Sequence, residues 1–443
     1  MIPACSLFAS GGIVRAFLAL HRHRITFALA LVAMALVVGT ACAGFLWALD
    51  AVTRVRFAAP WLLWGLPLGG AGVAWLYRRF STRAEGGNNL ILDEIHEPGA
   101  GVPLAMAPLV VLGTLVTHLL GGSAGREGTA VQLGGSLAHG FVDRLGLTGG
   151  WRRLLLMGGV AAGFGAVFGT PLAGAVFGIE VLALGTLDLA AALPCLVAAL
   201  VADAACRSWG IHHTAYPHLD LPSEGARALA LLLLKAGVAG IAVGLVARLF
   251  AEANHTLGAF VRKLVPGALW RPVVGGVLVI ALSLIFGTQD YLGLGVLAAH
   301  PGAPTLPGFF TAAPDRWSWL LKLVFTVATL STGFKGGEVT PLFFIGAGLG
   351  SALAPLLGVP VPVMAALGMV AMLGAAANTP VACAVMGLEL FGIGLGPVLV
   401  VACVTAYLAS GHGGIYLSQK IARPKWPRRR AAATLRASQR SWF

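Results

Sequence analysis

The sequence predicts an all-α polytopic membrane protein built from two homologous halves, and three observations carry that reading. Of its 443 residues, 58% are hydrophobic and 11% charged, with a mean hydropathy of +0.86. That balance is too apolar for a soluble fold. Apolar stretches recur at the length that crosses a bilayer, about 20 residues each. A twelve-residue pattern from the first half also returns in the second.

The first stretch, Ile25–Leu49, follows Arg15, Arg22 and Arg24. It is too long for the apolar core of a cleaved signal peptide and reads as a retained first span behind a segment 1–25. Further spans are expected at Pro103–Leu120, Leu229–Phe250, Pro272–Phe286 with flanks, and Val361–Leu390. The 61 glycines suit helices whose backbones touch in lipid, where dispersion replaces hydrophobic drive.

The net charge of +13 gathers at the two ends. The N-terminal arginines stand at one, and Lys420, Arg423, Lys425, Arg428, Arg429, Arg430, Arg436 and Arg440 at the other. This bias places both termini in the cytoplasm. The tail 421–443 suits lipid headgroups. No soluble domain is expected at either end, and nothing calls for nucleic acid. Cys5, Cys42, Cys195, Cys206, Cys383 and Cys403 are scattered without a C-x-x-C pair, as small core residues are. No metal or cofactor is expected. The absence of a Walker-type G-x-x-x-x-G-K-[ST] run leaves an ion gradient as the energy source.

The repeat is Gly169-Thr-Pro-Leu-Ala-Gly-Ala-Val-Phe-Gly-Ile-Glu180 against Asn378-Thr-Pro-Val-Ala-Cys-Ala-Val-Met-Gly-Leu-Glu389, at an offset of 209 residues. Upstream, Glu127-Gly-Thr129 pairs with Glu338-Val-Thr340 at an offset of 211. The halves are therefore 26–210 and 226–420. The linker 211–225 lies within the polar stretch Ser208–Ala226. In transporters built this way the substrate sits between the halves, where broken helices aim their N-termini. The Gly-rich segments 121–129 and 331–341 are the candidate breaks. Each interrupts apolar sequence without a long polar loop, as backbone lining a cavity does. Residues alone leave parallel and inverted repeats both open.

Glu127, in Gly-Gly-Ser-Ala-Gly-Arg-Glu-Gly-Thr (121–129), is the most informative residue. A carboxylate at membrane depth is costly unless it pairs, lines water or takes up a proton. With Arg126 beside it, flanking glycines and a helical pattern after it, Glu127 sits where a helix N-terminus favours negative charge. The plain alternative is a surface-loop glutamate.

These residues resemble the CLC anion channel and transporter family over nearly the whole chain. Residues 121–128 look like its gating-glutamate motif, and Gly336-Gly-Glu-Val-Thr-Pro341 looks like its second-half anion-site motif. Tyr416, in Gly-Gly-Ile-Tyr, falls at its central tyrosine. The departures are similar to the bacterial fluoride/proton antiporter branch. Gly86-Gly-Asn-Asn-Leu-Ile91 replaces a serine-bearing loop, Thr129 replaces a proline, and Glu338 and Thr340 replace apolar residues. Val181 stands at the internal proton glutamate of chloride antiporters.

The resemblance implies an inverted-repeat fold, a homodimer with one pathway per subunit, and fluoride export against protons. A chloride channel or chloride/proton exchanger is the nearest alternative. It also implies an anion site at Asn88, Asn89, Gly125, Arg126, Gly128, Thr129, Glu338, Val339, Thr340 and Tyr416, with Glu127 as the moving carboxylate. Ionised, Glu127 would occupy the anion's place; protonated, it would leave. Fluoride is small and strongly hydrated, so directed donors must replace its water. Amides of Asn88 and Asn89, the Thr340 hydroxyl and the Tyr416 phenol supply them. Phe343 and Phe344 offer ring edges or, more commonly, core packing. Arg126 is expected to fix loop geometry. Glu338 reads either as a second proton-handling or anion-path carboxylate or as a cap on the following helix. Lys335 reads as its partner or as cytoplasm-facing charge.

Other signals carry less. Gly121–Gly125 matches G-x-S-x-G, but an apolar helix precedes Ser123 where a nucleophile elbow needs a strand. A membrane-embedded serine hydrolase is the distant alternative. Asp93-Glu-Ile-His-Glu97 lacks H-E-x-x-H spacing and reads as a polar membrane edge. Glu180 and Glu389, matched across the repeat, read as structural. Asp143, Arg152 and Arg153 read as an ordinary loop.

Overall fold

A computed structural model describes residues 9–221, 225–311 and 316–426, with side chains from residue 24 onward. The side chains of Cys5, Arg15 and Arg22, and the tail arginines Arg428, Arg429, Arg430, Arg436 and Arg440, lie outside the described residues. The first half holds α1 (Ala9–Ala58), α2 (Leu66–Phe80), α3 (Gly87–His96), α4 (Met106–Leu119), α5 (Glu127–Leu145), α6 (Gly149–Phe168), α7 (Pro171–Glu180) and α8 (Ala192–Ser208). The second holds α9 (Gly225–Leu264), α10 (Trp270–Phe286), α11 (Ser318–Leu330), α12 (Val339–Leu357), α13 (Val361–Ala376), α14 (Pro380–Phe391) and α15 (Gly396–Ala409). Two two-residue strands, Ala183–Leu184 and Lys420–Ile421, pair in parallel and tie the chain's last described segment to the end of α7.

Glycines set the spacing of the two central helix pairs. On α5 and α6, a Cβ at Gly134 would run into Gly159 O, and one at Gly163 into Ala130 O. On α12 and α13, a Cβ at Gly350 would strike Met364 O, and one at Gly368 would strike Gly346 O. Only glycine allows these backbones to touch, the close approach that stabilises helix pairs in lipid.

The α7–α14 pair gives the direction of the repeat. Glu180 ends α7 and accepts N–H bonds from Val381 (3.0 Å) and Ala382 (2.7 Å) at the start of α14. Glu389 near the end of α14 accepts from Leu172 (2.9 Å) and Ala173 (2.7 Å) at the start of α7. Each helix finishes by capping the other's beginning, where the unpaired N–H groups and helix dipole favour a carboxylate. The two therefore run antiparallel, and the halves form an inverted repeat. The expected structural role of these glutamates is this mutual capping.

Two expectations need correction. Val361–Leu390 is two helices, not one span: the chain breaks where Asn378 adopts φ +57° ahead of Thr379-Pro380. Proline excludes helical backbone in the residue before it, and asparagine tolerates the left-handed region. The first half uses Gly169 (φ +72°) ahead of Thr170-Pro171 for the same turn. Asp143, Arg152 and Arg153 are helical residues rather than a loop. Asp143 lies on α5 against His139 (3.2 Å), Arg152 on α6 pairs with buried Glu94 (2.6 Å), and Arg153 pairs with Asp188.

Among the described residues, four helices are long and apolar enough to cross a membrane: Arg24–Ala58 of α1, Leu189–Ser208, α9 and α12. Several others are shorter, which leaves helix termini well inside the protein.

Candidate functional site

Two helix starts meet inside the protein. Gly125 N donates to Gly337 O (2.6 Å) and Gly337 N to Gly125 O (2.8 Å), so the two Gly-rich segments pair antiparallel immediately before α5 and α12. A Cβ at Gly125 would lie 2.9 Å from Gly337 O, which explains glycine at this contact.

Glu127, first residue of α5, is 1% exposed, and its carboxylate crosses to the other half. Thr340 N donates to Oε2 at 3.0 Å, and Thr340 Oγ1 lies 2.6 Å from both carboxylate oxygens, its one proton serving either. Arg126 N adds a longer bond at 3.2 Å, and Arg126 Nε stands 3.5 Å from Oε1, an ion-pair contact without hydrogen-bond geometry. Glu127 is thus the side-chain cap of α12. Bonds to an ionised acceptor are the strong class, worth about 1.5–3 kcal/mol each.

Glu338 occupies the N-cap position of α12, yet its side chain makes no cap bond. The capping reading of Glu338 therefore fails, because Glu127 has taken that role. Its Oε2 is closed off from solvent with no hydrogen-bond partner. Gly128 packs beside it: a Cβ there would lie 3.2 Å from Asn88 Nδ2 and 3.6 Å from Glu338 Oε2. Asn88 Oδ1 is likewise buried and unpartnered. Lys335 is not the partner of Glu338; its ammonium lies 4.3 Å from the Tyr77 ring centre. Tyr416 is 3% exposed and lies within the field of both Glu338 and Glu127.

The structure thus brings Asn88, Gly125, Arg126, Glu127, Gly128, Glu338, Val339, Thr340 and Tyr416 into one neighbourhood. Two expected residues serve otherwise. Thr129 Oγ1 meets Thr114 Oγ1 (2.7 Å), joining α5 to α4. Asn89 Oδ1 accepts Ser418 N–H (2.9 Å), holding α3 to the segment that carries Tyr416.

Phe344 is core, with its ring 4.8 Å from Phe309. Phe343 lines a cleft of about 20 Å³ together with Arg126, Glu127, Phe168, Thr214 and Tyr216. Thr214 and Tyr216 belong to the linker, which reads as a mere tether in sequence. The aromatic in that polar run was the signal: Tyr216 packs between Phe310 and Phe391.

The sequence pattern also passes over His118. Its Nδ1 lies 2.8 Å from Thr114 O and its Nε2 3.1 Å from Ala124 O, the latter on the Glu127 loop. Ser123 Oγ is fully buried and donates to Tyr291 O (2.8 Å), with Thr326 Oγ1 at 2.9 Å. No histidine or carboxylate among the described residues reaches it, so the hydrolase reading has no geometry behind it. Asp93–Glu97 holds no metal cluster among the described residues. His96 Nε2 meets Leu182 O, and Glu97 pairs with Lys420.

Two helix starts bridged back to back, with a carboxylate from one half docked on the other, are joined by a match of residues 69–411 to the voltage gated chloride channel family. The chain belongs to the CLC family. A CLC relative, the chloride/fluoride channel protein of Pseudomonas syringae pv. tomato, is 47% identical over 88% of this chain and 86% of its own length. A chloride channel protein ClcB-like chain of Ralstonia nicotianae is 33% identical over 72% of this chain. Among solved CLC structures, a CLC-type fluoride/proton antiporter superposes with a TM-score of 0.83 at 34% identity, covering 90% of this chain and 98% of its own. A slow cyanobacterial Cl⁻/H⁺ antiporter shares the fold at a TM-score of 0.72 and 21% identity, over 87% and 94% of the two chains.

Proposed function

We propose that the chain exports fluoride from the cytoplasm in exchange for protons, with Glu127 as the shared element of both pathways. The likeness to a chloride/fluoride channel protein and to a CLC-type fluoride/proton antiporter supports the substrate. One observation carries the mechanism: the Glu127 carboxylate holds the Thr340 N–H and hydroxyl, the donors an anion at the α12 N-terminus would use.

Carboxylate and fluoride therefore compete for one set of bonds. Protonation removes the charge that makes those bonds strong. The neutral side chain leaves toward the cleft walled by Phe168, Tyr216 and Phe343, and fluoride takes the vacated donors. Deprotonation brings the carboxylate back and expels the anion. The Asn88 amide and Tyr416 phenol extend the anion's path past Gly128, and Glu338 is the second carboxylate along it. Alternation at one place is what couples opposite flows.

The halves 26–210 and 226–420 each supply one helix start, and Thr214 and Tyr216 of the linker 211–225 line the cleft. The protein works as a homodimer in a bacterial inner membrane with both termini cytoplasmic, as the basic ends favour. The outward apolar side chains Leu193, Leu200, Val381 and Val400 on α8, α14 and α15 suit lipid or a second copy.

Reconstituted liposomes test this reading. Fluoride efflux accompanied by proton uptake is expected for the wild type, with chloride efflux much slower. Chloride flux equal to fluoride flux would move the chain to chloride handling. Proton coupling that survives Glu127→Gln would remove Glu127 from the mechanism.

A further inference from the structure

A larger cleft, of about 390 Å³, lies against the start of the same Glu127 loop, walled by Arg56, His118, Gly121 and the segment from Gly287 to Pro304. That segment separates the two clefts. It presents Gly295 and Leu297 to the larger and Val296 to the smaller one beside Glu127.

The charges around the larger cleft do not balance. Arg56, in the last turn of α1, is 7% exposed. Its Nη2 donates to the neutral amide of Gln289 at 2.6 Å, its Nε has no acceptor, and no described carboxylate lies within ion-pair distance. The carboxylate on the cleft wall, Asp290, is engaged by His300 Nε2 at 2.8 Å. Behind the wall, Lys322 Nζ is fully buried on α11 and donates only to backbone, at Tyr291 O (3.0 Å) and Gly293 O (2.7 Å). A buried cation without a counter-charge is costly. Here Arg56, with His118 beside it and Lys322 behind, faces a space of about 390 Å³, large enough to hold an ion with part of its water.

We propose that this cleft is a binding site for a small monovalent anion, with Arg56 as the charged donor and Gln289 as the residue that orients its guanidinium. The site rests on the anion-transport reading above and adds a place where the halide is held, hydrated, next to the Glu127 loop. Arginine suits the task because its planar fork keeps a fixed charge and its donors in place. An uncompensated cation in a cleft with largely apolar walls raises the local concentration of the opposite ion.

Bromide is the probe. Crystals of the full chain grown in bromide should show an anomalous peak beside the Arg56 guanidinium. Arg56→Lys should keep the peak, and Arg56→Gln should lose it. Gln289→Glu, which supplies the missing carboxylate without removing the cation, should also empty the site, so the proposal stays testable where Arg56→Gln does not fold. In liposomes Gln289→Glu should raise the fluoride KM about tenfold. An empty cleft in the wild type, or a peak that persists in Arg56→Gln or Gln289→Glu, overturns the proposal. The diffraction result does not depend on proton coupling, so failure of the antiport reading and failure of this site are seen separately.

Discussion

Glu127 and Glu338 stand at equivalent helix starts of the two halves, and their surroundings differ completely. Glu127 has three donors for its carboxylate, two of them from the opposite half. Glu338 sits one position before its own helix, caps nothing, and leaves Oε2 without a partner. The threonines differ in the same way: Thr340 turns its hydroxyl to Glu127, whereas Thr129 turns to Thr114 on α4. An inverted repeat thus supplies a symmetric frame, and a register difference of two residues breaks the symmetry at the site. One carboxylate is held by donors of the opposite half, and the other keeps a buried oxygen without a partner.

The largest expected effect tests that division. Glu127→Gln keeps the shape but removes the proton-accepting group, so proton movement coupled to fluoride should fall at least tenfold (about 1.4 kcal/mol or more in barrier terms). Glu338→Gln should slow fluoride flux while leaving measurable coupling. Proton-coupled flux in liposomes reads both. Equal loss of coupling in the two variants would erase the distinction between the halves.

The threonines come next. Thr340→Val removes a hydroxyl that bonds a carboxylate, an interaction worth about 1.5–3 kcal/mol. Fluoride turnover should drop roughly 10- to 100-fold. Thr129→Val removes one leg of a neutral hydroxyl pair and should cost about 1 kcal/mol of stability, with fluoride-to-proton coupling unchanged. A coupling defect in Thr129→Val would place that hydroxyl in the ion path after all.

Glycine contacts should sharpen the comparison at the level of the frame. Gly163→Ala on α6 and Gly350→Ala on α12 each push a methyl into a facing carbonyl, Ala130 O in one half and Met364 O in the other. Overpacking of this kind costs typically about 1–3 kcal/mol. Detergent-solubilised thermal unfolding should show similar losses for both, since the frame is symmetric where the site is not.

Much of this was legible in the chain because it rests on local chemistry. The Thr-Pro repeat and the two Glu-x-Thr segments fix where helices begin, and their glycines fix where backbones touch. The partner of each carboxylate was not legible, because that depends on which half reaches across. Nothing in Glu338-Val-Thr340 says that the cap of α12 comes from residue 127. Lys335 illustrates the same limit: its neighbour in sequence is Glu338, but its neighbour in space is the Tyr77 ring. Val361–Leu390 reads as one apolar run because the break at Asn378 is a backbone event that hydropathy does not register. His118 and Tyr216 entered the site through tertiary packing of residue types that ordinarily serve as core or linker.

The smallest expected effect is the cleanest control on the symmetry itself. Glu180 and Glu389 cap each other's helices with bonds matched within 0.1 Å: 3.0 and 2.7 Å in one direction, 2.9 and 2.7 Å in the other. Neither touches the Glu127 site. Losing a carboxylate cap costs roughly 0.5–2 kcal/mol, so Glu180→Ala and Glu389→Ala should lower thermal stability by similar amounts and leave coupling intact. The two caps lie along one antiparallel pair, so the double variant should fall short of or exceed the sum, as contacting residues do. A strict sum would mean that each cap acts alone. Loss of proton coupling in Glu180→Ala only would show that the asymmetry of the transport site extends into the α7–α14 pair.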